Sequence, residues 1–320
     1  MGIETMPQPQ HEAPERKSPE IPRIDFTPEK FDEELDLVSE TAWLNAKKLP
    51  EHEQLPKYFQ NLQKMRTRYL EVADAQQEPE EHKAAAQALL GAFILSQHAL
   101  YGGLDEKGKT GIARKFEENI IIQSSAAAYL GELNEKYKNN PAEATQRASR
   151  FWAAQERCLR VYFERNPKFA FDAWKNGILR DAALQWIIRK ECKWDVVPQE
   201  DLRADAVQKV DLVALSSNDI AYLFQIKPME SGEQGGWEMD QVLPARGDAY
   251  GYSNEVISGM HRFADDNGLE DSTTKGFLIR VSASGEYINK QTGMPSPQFA
   301  QQLKGELVGI DGASRQKSAA

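Results

Sequence analysis

The sequence is poor in the residues that usually announce chemistry. It holds only two cysteines, Cys158 and Cys192, in no CxxC pairing. That composition suits a reducing compartment and supplies neither a disulfide framework nor a thiolate zinc site. The five histidines (His11, His52, His82, His98, His261) are scattered without ligand spacing. A Gly-rich phosphate loop, a G-x-S-x-G turn and an H-E-x-x-H helix are all missing, which removes the nucleotide-binding, serine-hydrolase and zincin signatures. Long apolar runs are missing too. The longest, residues 84–95, is alanine-rich and falls short of the roughly 20 residues that span a bilayer. The polar, Pro-rich N-terminus lacks the basic and apolar regions of a secretory signal, so a cytoplasmic protein with no membrane association is expected.

Basic charge is also in deficit. A net charge of −10 argues against a protein that coats nucleic acid non-specifically. The acidity is concentrated early: residues 1–149 carry 18 Lys and Arg against 25 Asp and Glu, and residues 150–320 carry 21 against 24. Hydrophobic content of 40% over 320 residues is that of a globular protein with room for one large or two ordinary domains.

Residues 1–26 read as a disordered arm of Pro, Glu, Gln and His. Thr27-Pro28 then starts the first of five amphipathic helices, expected near 28–49, 55–74, 79–101, 111–137 and 141–165, which together predict a helical bundle over 27–165. Its aromatic positions read as core and Arg66, Arg68 and Arg114-Lys115 as a solvated face, and recognition of a protein partner or of a substrate are the two uses open to such a module. From Asn166-Pro167 the pattern changes. A helix from Asn176-Gly177 to about Lys190 precedes a strand at 193–198, an acidic loop and a hairpin. A long polar loop at 229–253, a helix capped by Asn254, a strong strand at 275–282 and a short one at Tyr287 follow. Ser296-Pro297 opens a short helix that Gly305 ends. A last edge strand is expected at 306–310 and a disordered tail at 311–320. His261-Arg262 reads chiefly as a solvated helix face.

The hairpin, residues 210–228 (VDLVALSSNDIAYLFQIKP), is the informative stretch. Two apolar runs flank a polar turn at Ser216 to Asp219, and Pro228 closes the second run because it cannot donate to a ladder. Asp211, Gln225 and Lys227 interrupt an otherwise apolar pattern. Such groups raise the free energy of a fold unless paired or bound to metal. Alternation puts Gln225 and Lys227 on one strand face with Leu223. An odd-length loop centred on Asn218 sets Asp211 opposite Gln225 on that face, whereas a two-residue turn sends Asp211 to the other side. In the odd register a carboxylate, an amide oxygen and an ammonium converge, the groups that a hard cation and a phosphate require.

An Asp in one strand, a short turn and (Asp/Glu/Gln)-x-Lys in the next is the pattern of the PD-(D/E)XK nuclease superfamily. This sequence resembles it over residues 170–283, Gln225-Ile226-Lys227 being similar to the variant of Mrr-like restriction nucleases. The expected fold is α+β or α/β: the helical bundle, which the resemblance does not cover, followed over 166–310 by the restriction-endonuclease-like mixed sheet flanked by helices that the resemblance implies. The resemblance also implies a metal-dependent phosphodiesterase acting on DNA, in restriction, phage defence or repair. Mg²⁺ or Mn²⁺ would be held by Asp211, Gln225, the Ile226 carbonyl and an additional acid, with Lys227 acting on the attacking water or the developing charge. Asp181, on the helix before the first strand, matches the additional acid by place, and Asp205 is the alternative. The competing reading is a catalytically inactive fold that binds protein or nucleic acid, with Asp211 and Lys227 as an ion pair fixing hairpin register.

Overall fold

The computed structural model describes residues 28–101, 111–167, 170–198, 208–229, 236–243, 252–282 and 285–318. Five helices come first: α1 (Pro28–Ala46), α2 (Glu51–Ala75), α3 (Glu80–Tyr101), α4 (Gly111–Lys136) and α5 (Pro141–Arg165). Helix α5 shows why the chain turns helical where it does. Asn140 accepts a hydrogen bond from the Glu143 N–H, Pro141 occupies the first turn, and Ala144, Ala148, Phe151, Trp152 and Leu159 bury one face.

The mixed α+β part follows. Helix α6 (Phe171–Trp186) runs on into a π-helical segment (Ile187–Cys192) that ends at Lys193 in the left-handed region, φ 61°. Strands β1 (Asp195–Pro198), β2 (Leu212–Leu215) and β3 (Ala221–Pro228) form an antiparallel meander, followed by β4 (Trp237–Leu243), helix α7 (Tyr252–Asp266), β5 (Thr274–Val281) and helix α8 (Pro297–Ser318). The sheet order is β1-β2-β3-β5-β4, with β3 and β5 parallel and β4 antiparallel on the far edge. None of the described helices is long and apolar enough to cross a membrane.

The two sheet faces are packed differently. The inner face carries Leu212, Ala214, Tyr222, Phe224, Phe277 and Ile279, and its buried cluster continues without a break through α6 and α8 into the helical bundle. Tyr222, Phe224 and Phe277 stack across β3 and β5 with centroids 5.9 to 6.3 Å apart. At the junction Trp152 of α5 meets Phe171 and Trp174 of α6 edge-on. The bundle and the sheet thus share one core. Among the described elements α7 covers the outer face, through Val256, Met260 and Phe263 on Val213, Leu223 and Leu278.

Several sequence expectations give way. Helix α6 starts at Phe171, five residues before Asn176-Gly177, because Phe171 and Trp174 have the aromatic wall to pack on. The polar stretch 229–253 contains β4, in which Trp237 and Met239 pack on the inner cluster. Tyr287 leads no strand, only an isolated bridge from Ile288 to Pro295. Helix α8 runs through Gly305, where a stop, an edge strand and a disordered tail are expected. Phe299, Leu303, Leu307 and Asp311 recur every four residues and are all buried, so tertiary packing outweighs the roughly 1 kcal/mol a helical glycine costs. Arg66 is not on a solvated face: it pairs with Glu118 at 2.5 Å in the interior. The N-terminal arm, 1–26, lies outside the described residues.

Candidate active site

Strands β2 and β3 pair Leu215 with Ala221 and Leu212 with Phe224, so the hairpin loop is five residues centred on Asn218 and the register is the odd one. Asp211, immediately before β2, therefore stands opposite Gln225, with the side-chain parity of Val213 and Leu223 on the outer face. Its backbone N–H donates to Phe224 O at 2.8 Å. Its Oδ2 accepts twice, from Gln225 Nε2 at 2.6 Å and from the Ile226 N–H at 2.7 Å. The carboxylate thus supplies an acceptor to a β3 amide at the point where β2 begins.

Gln225 is fully buried, 0% exposed. Because a carboxylate only accepts, the Gln225 amide presents its nitrogen to Asp211, so Oε1 is the atom of the group that Asp211 does not engage. That oxygen has no hydrogen-bond donor. A buried acceptor left unsatisfied costs about 1–3 kcal/mol, so its retention calls for a ligand or a reason. Asp211 thus has hairpin partners in Gln225 and Ile226, which fix its place beside β3.

Lys227 is two residues further along β3 on the same face, half-buried near the end where the strand emerges from cover. In the parallel ladder it stands beside Arg280 of β5, whose guanidinium meets Asp240 at 2.6 Å and Glu238 at 3.6 Å on β4. The outer face at the C-terminal ends of β3 and β5 is thus a layer of Lys227, Arg280, Glu238 and Asp240, with Gln225 and Asp211 next to it. Helix α7 covers the neighbouring level closely: a Cβ on Gly276 would lie 2.7 Å from Met260 Sδ, so glycine there sets the approach of helix to sheet. Arg280, Glu238 and Asp240 are absent from the sequence reading because β4 reads as loop. The alternation Trp237-Glu238-Met239-Asp240 is the signal that finds them.

Asp181 is half-buried on α6, the helix whose apolar side packs the inner face, and Asp205 lies outside the described residues. Among the described residues no group of three His, Cys, Asp or Glu side chains is placed to hold a metal ion. Asp211 and the orphaned Gln225 Oε1 are oxygen donors at this point, hard ligands in the sense that suits Mg²⁺ or Mn²⁺ rather than zinc.

No protein-family model, curated protein or solved structure matches this chain.

Proposed function

We propose that the chain is a divalent-metal-dependent phosphodiester hydrolase acting on DNA, with Asp211, Gln225 and Lys227 as its working residues. One observation carries the reading: a fully buried glutamine whose carbonyl oxygen lacks a donor, fixed by an aspartate that holds its other end. The element order supports it, since a helix (α6), three antiparallel strands, a helix (α7) and a strand parallel to the third is the core order of the restriction-endonuclease-like fold, with β4 added at an edge.

In this reading Asp211 and Gln225 Oε1 hold Mg²⁺ or Mn²⁺, with the Ile226 carbonyl and Asp181 as candidate further oxygens. When bound, such an ion lowers the pKa of a coordinated water and stabilises charge on phosphate oxygens. The protein's own groups do the rest. The Ile226 N–H and the Gln225 amide keep the Asp211 carboxylate in one orientation, so its remaining oxygen is pre-aimed at low entropic cost. Lys227, on the same face, brings an ammonium to orient the attacking water or to offset charge building on the phosphate. An amide in place of a second carboxylate leaves the site one negative charge poorer, so metal affinity depends more on a phosphate completing the shell.

The alternative, an inactive fold that binds protein or nucleic acid, draws on the same geometry, because Asp211 Oδ2 already satisfies two hairpin donors. The two readings separate on incubation of the full chain with linear, circular and single-stranded DNA, with and without Mg²⁺ or Mn²⁺. The proposal expects metal-dependent cleavage that Lys227→Ala abolishes, and a metal-induced rise in melting temperature that Asp211→Ala removes. No cleavage and no thermal response to either metal would leave the binding module standing.

A further inference from the structure

The outer face holds a second feature beside Asp211. Helix α7 carries Asn254, Ser258 and Arg262 at four-residue spacing, a polar stripe turned away from its buried Val256, Met260 and Phe263. That stripe, with Glu255 and with Lys209 from the lead-in to β2, borders an open cleft of about 350 Å³. The close fit that creates the cleft is specific. A Cβ on Gly259 would lie 2.6 Å from the Gln208 carbonyl oxygen, so only glycine lets α7 lie against this backbone. Gln208 Nε2 donates to Asp266 Oδ2 at 2.6 Å, fastening the other end of the contact. Lys209 turns there in the left-handed region, φ 57°. Lys209 and Arg262 make no ion pair with any described residue.

Two cations, a hydroxyl and a carboxamide line the cleft against a single carboxylate, Glu255, so cationic donors predominate. The volume admits a tetrahedral oxyanion, and the guanidinium fork and ammonium are the groups that grip one. In a chain of net charge −10, attraction for a polyanion must be local, and the cleft is two residues from Asp211 along the chain.

We propose that this cleft seats a backbone phosphate of the nucleic-acid strand delivered to the Asp211–Gln225 pair, with Lys209 and Arg262 as its anchors, Ser258 and Asn254 as neutral donors, and Glu255 as the rim charge that limits affinity. This rests on the phosphodiesterase reading for the identity of the strand, but the cleft itself is tested without catalysis. Fluorescent single-stranded and duplex oligonucleotides are titrated against the full chain in EDTA, at several salt concentrations, with inorganic phosphate as competitor. The double variant Lys209→Ala/Arg262→Ala should bind about tenfold or more weakly. Its salt dependence of log Kd should fall by about 1, because the one seated phosphate is no longer neutralised. Glu255→Gln should tighten binding, whereas Glu270→Gln, the same charge change at an exposed site beyond α7, should not.

Equal affinity and equal salt dependence in the double variant overturn the cleft as a strand site, even if the protein cleaves DNA. Phosphate binding abolished in the double variant while neither oligonucleotide binds overturns the strand and makes the occupant a free phosphate. A tenfold weakening in the double variant, in a protein that cleaves no DNA with metal, upholds the cleft and removes the catalytic reading.

Discussion

Tyr222 Oη donates to Asp311 Oδ1 over 3.1 Å, so the central strand of the sheet is pinned to the last helix through a fully buried phenol. Asn218 of the hairpin loop donates to the other oxygen of the same carboxylate at 2.5 Å. One side chain of α8 thereby holds both the strand and the loop that set the Asp211–Gln225 register.

Asp311→Ala should therefore destabilise the chain by about 1–3 kcal/mol, chiefly because the buried phenol loses its acceptor while Asn218 turns to water. A urea midpoint unchanged from the unaltered protein would show that α8 docks through its apolar stripe alone. The pH dependence has a definite sign. Burial, and then the nearby Asp311 carboxylate, push the Tyr222 phenol well above its ordinary value, and burial raises Tyr129 likewise. A raised folded-state pKa means the stabilisation is complete below the unfolded value, near 10, and is lost as pH rises beyond it. Denaturant midpoints should fall from about pH 10 upward, and less steeply in Tyr222→Phe.

The Arg66–Glu118 pair in the bundle should behave asymmetrically. Glu118 is 1% exposed and also accepts from Gln63 Nε2 at 2.5 Å. Arg66→Ala strands that carboxylate and should cost about 3–5 kcal/mol, whereas Arg66→Met combined with Glu118→Leu should retain most of the stability, since desolvating two charges offsets much of their attraction. Chemical denaturation of the single and double variants measures the difference. Equal losses in both would mean that the pair is a net stabiliser.

Neither thiol should behave as a nucleophile in the folded protein. Burial pushes Cys158 up to about 12 and Cys192 up to about 11. At pH 8 the thiolate fraction of Cys192 is then roughly one in a thousand, far below that of an exposed cysteine. Ellman's reagent should label neither residue until denaturant is added and both afterwards. Prompt labelling of one thiol in the native protein would show that its site opens readily.

The sequence carried the helical bundle well, because α2 to α5 have full-length apolar periodicity and clear starts such as Asn140-Pro141. It also carried the geometry of Asp211 and Gln225 as one of two open registers, and the pairing of Leu215 with Ala221 decides for the odd one around Asn218. What it hid was decided by long-range packing. Gly305 reads as a stop until Leu303 and Leu307 are seen buried against the sheet. Strand β4 reads as loop because its outward residues are acidic and their partner, Arg280, is 40 residues away. Arg66 reads as surface because Glu118, which permits its burial, is on another helix.

The shared core has a consequence for how the chain is made. Trp152 Nε1 donates to the Gln291 carbonyl across 139 residues, and Asn134 Nδ2 to that of Thr292 across 158. At ribosomal rates of about 5–20 residues per second, roughly 7–28 s separate the synthesis of the bundle's aromatic wall from that of the segment that caps it. During that interval the nascent bundle presents its apolar side to solvent, so chaperone occupancy should peak before the segment around Gln291 emerges.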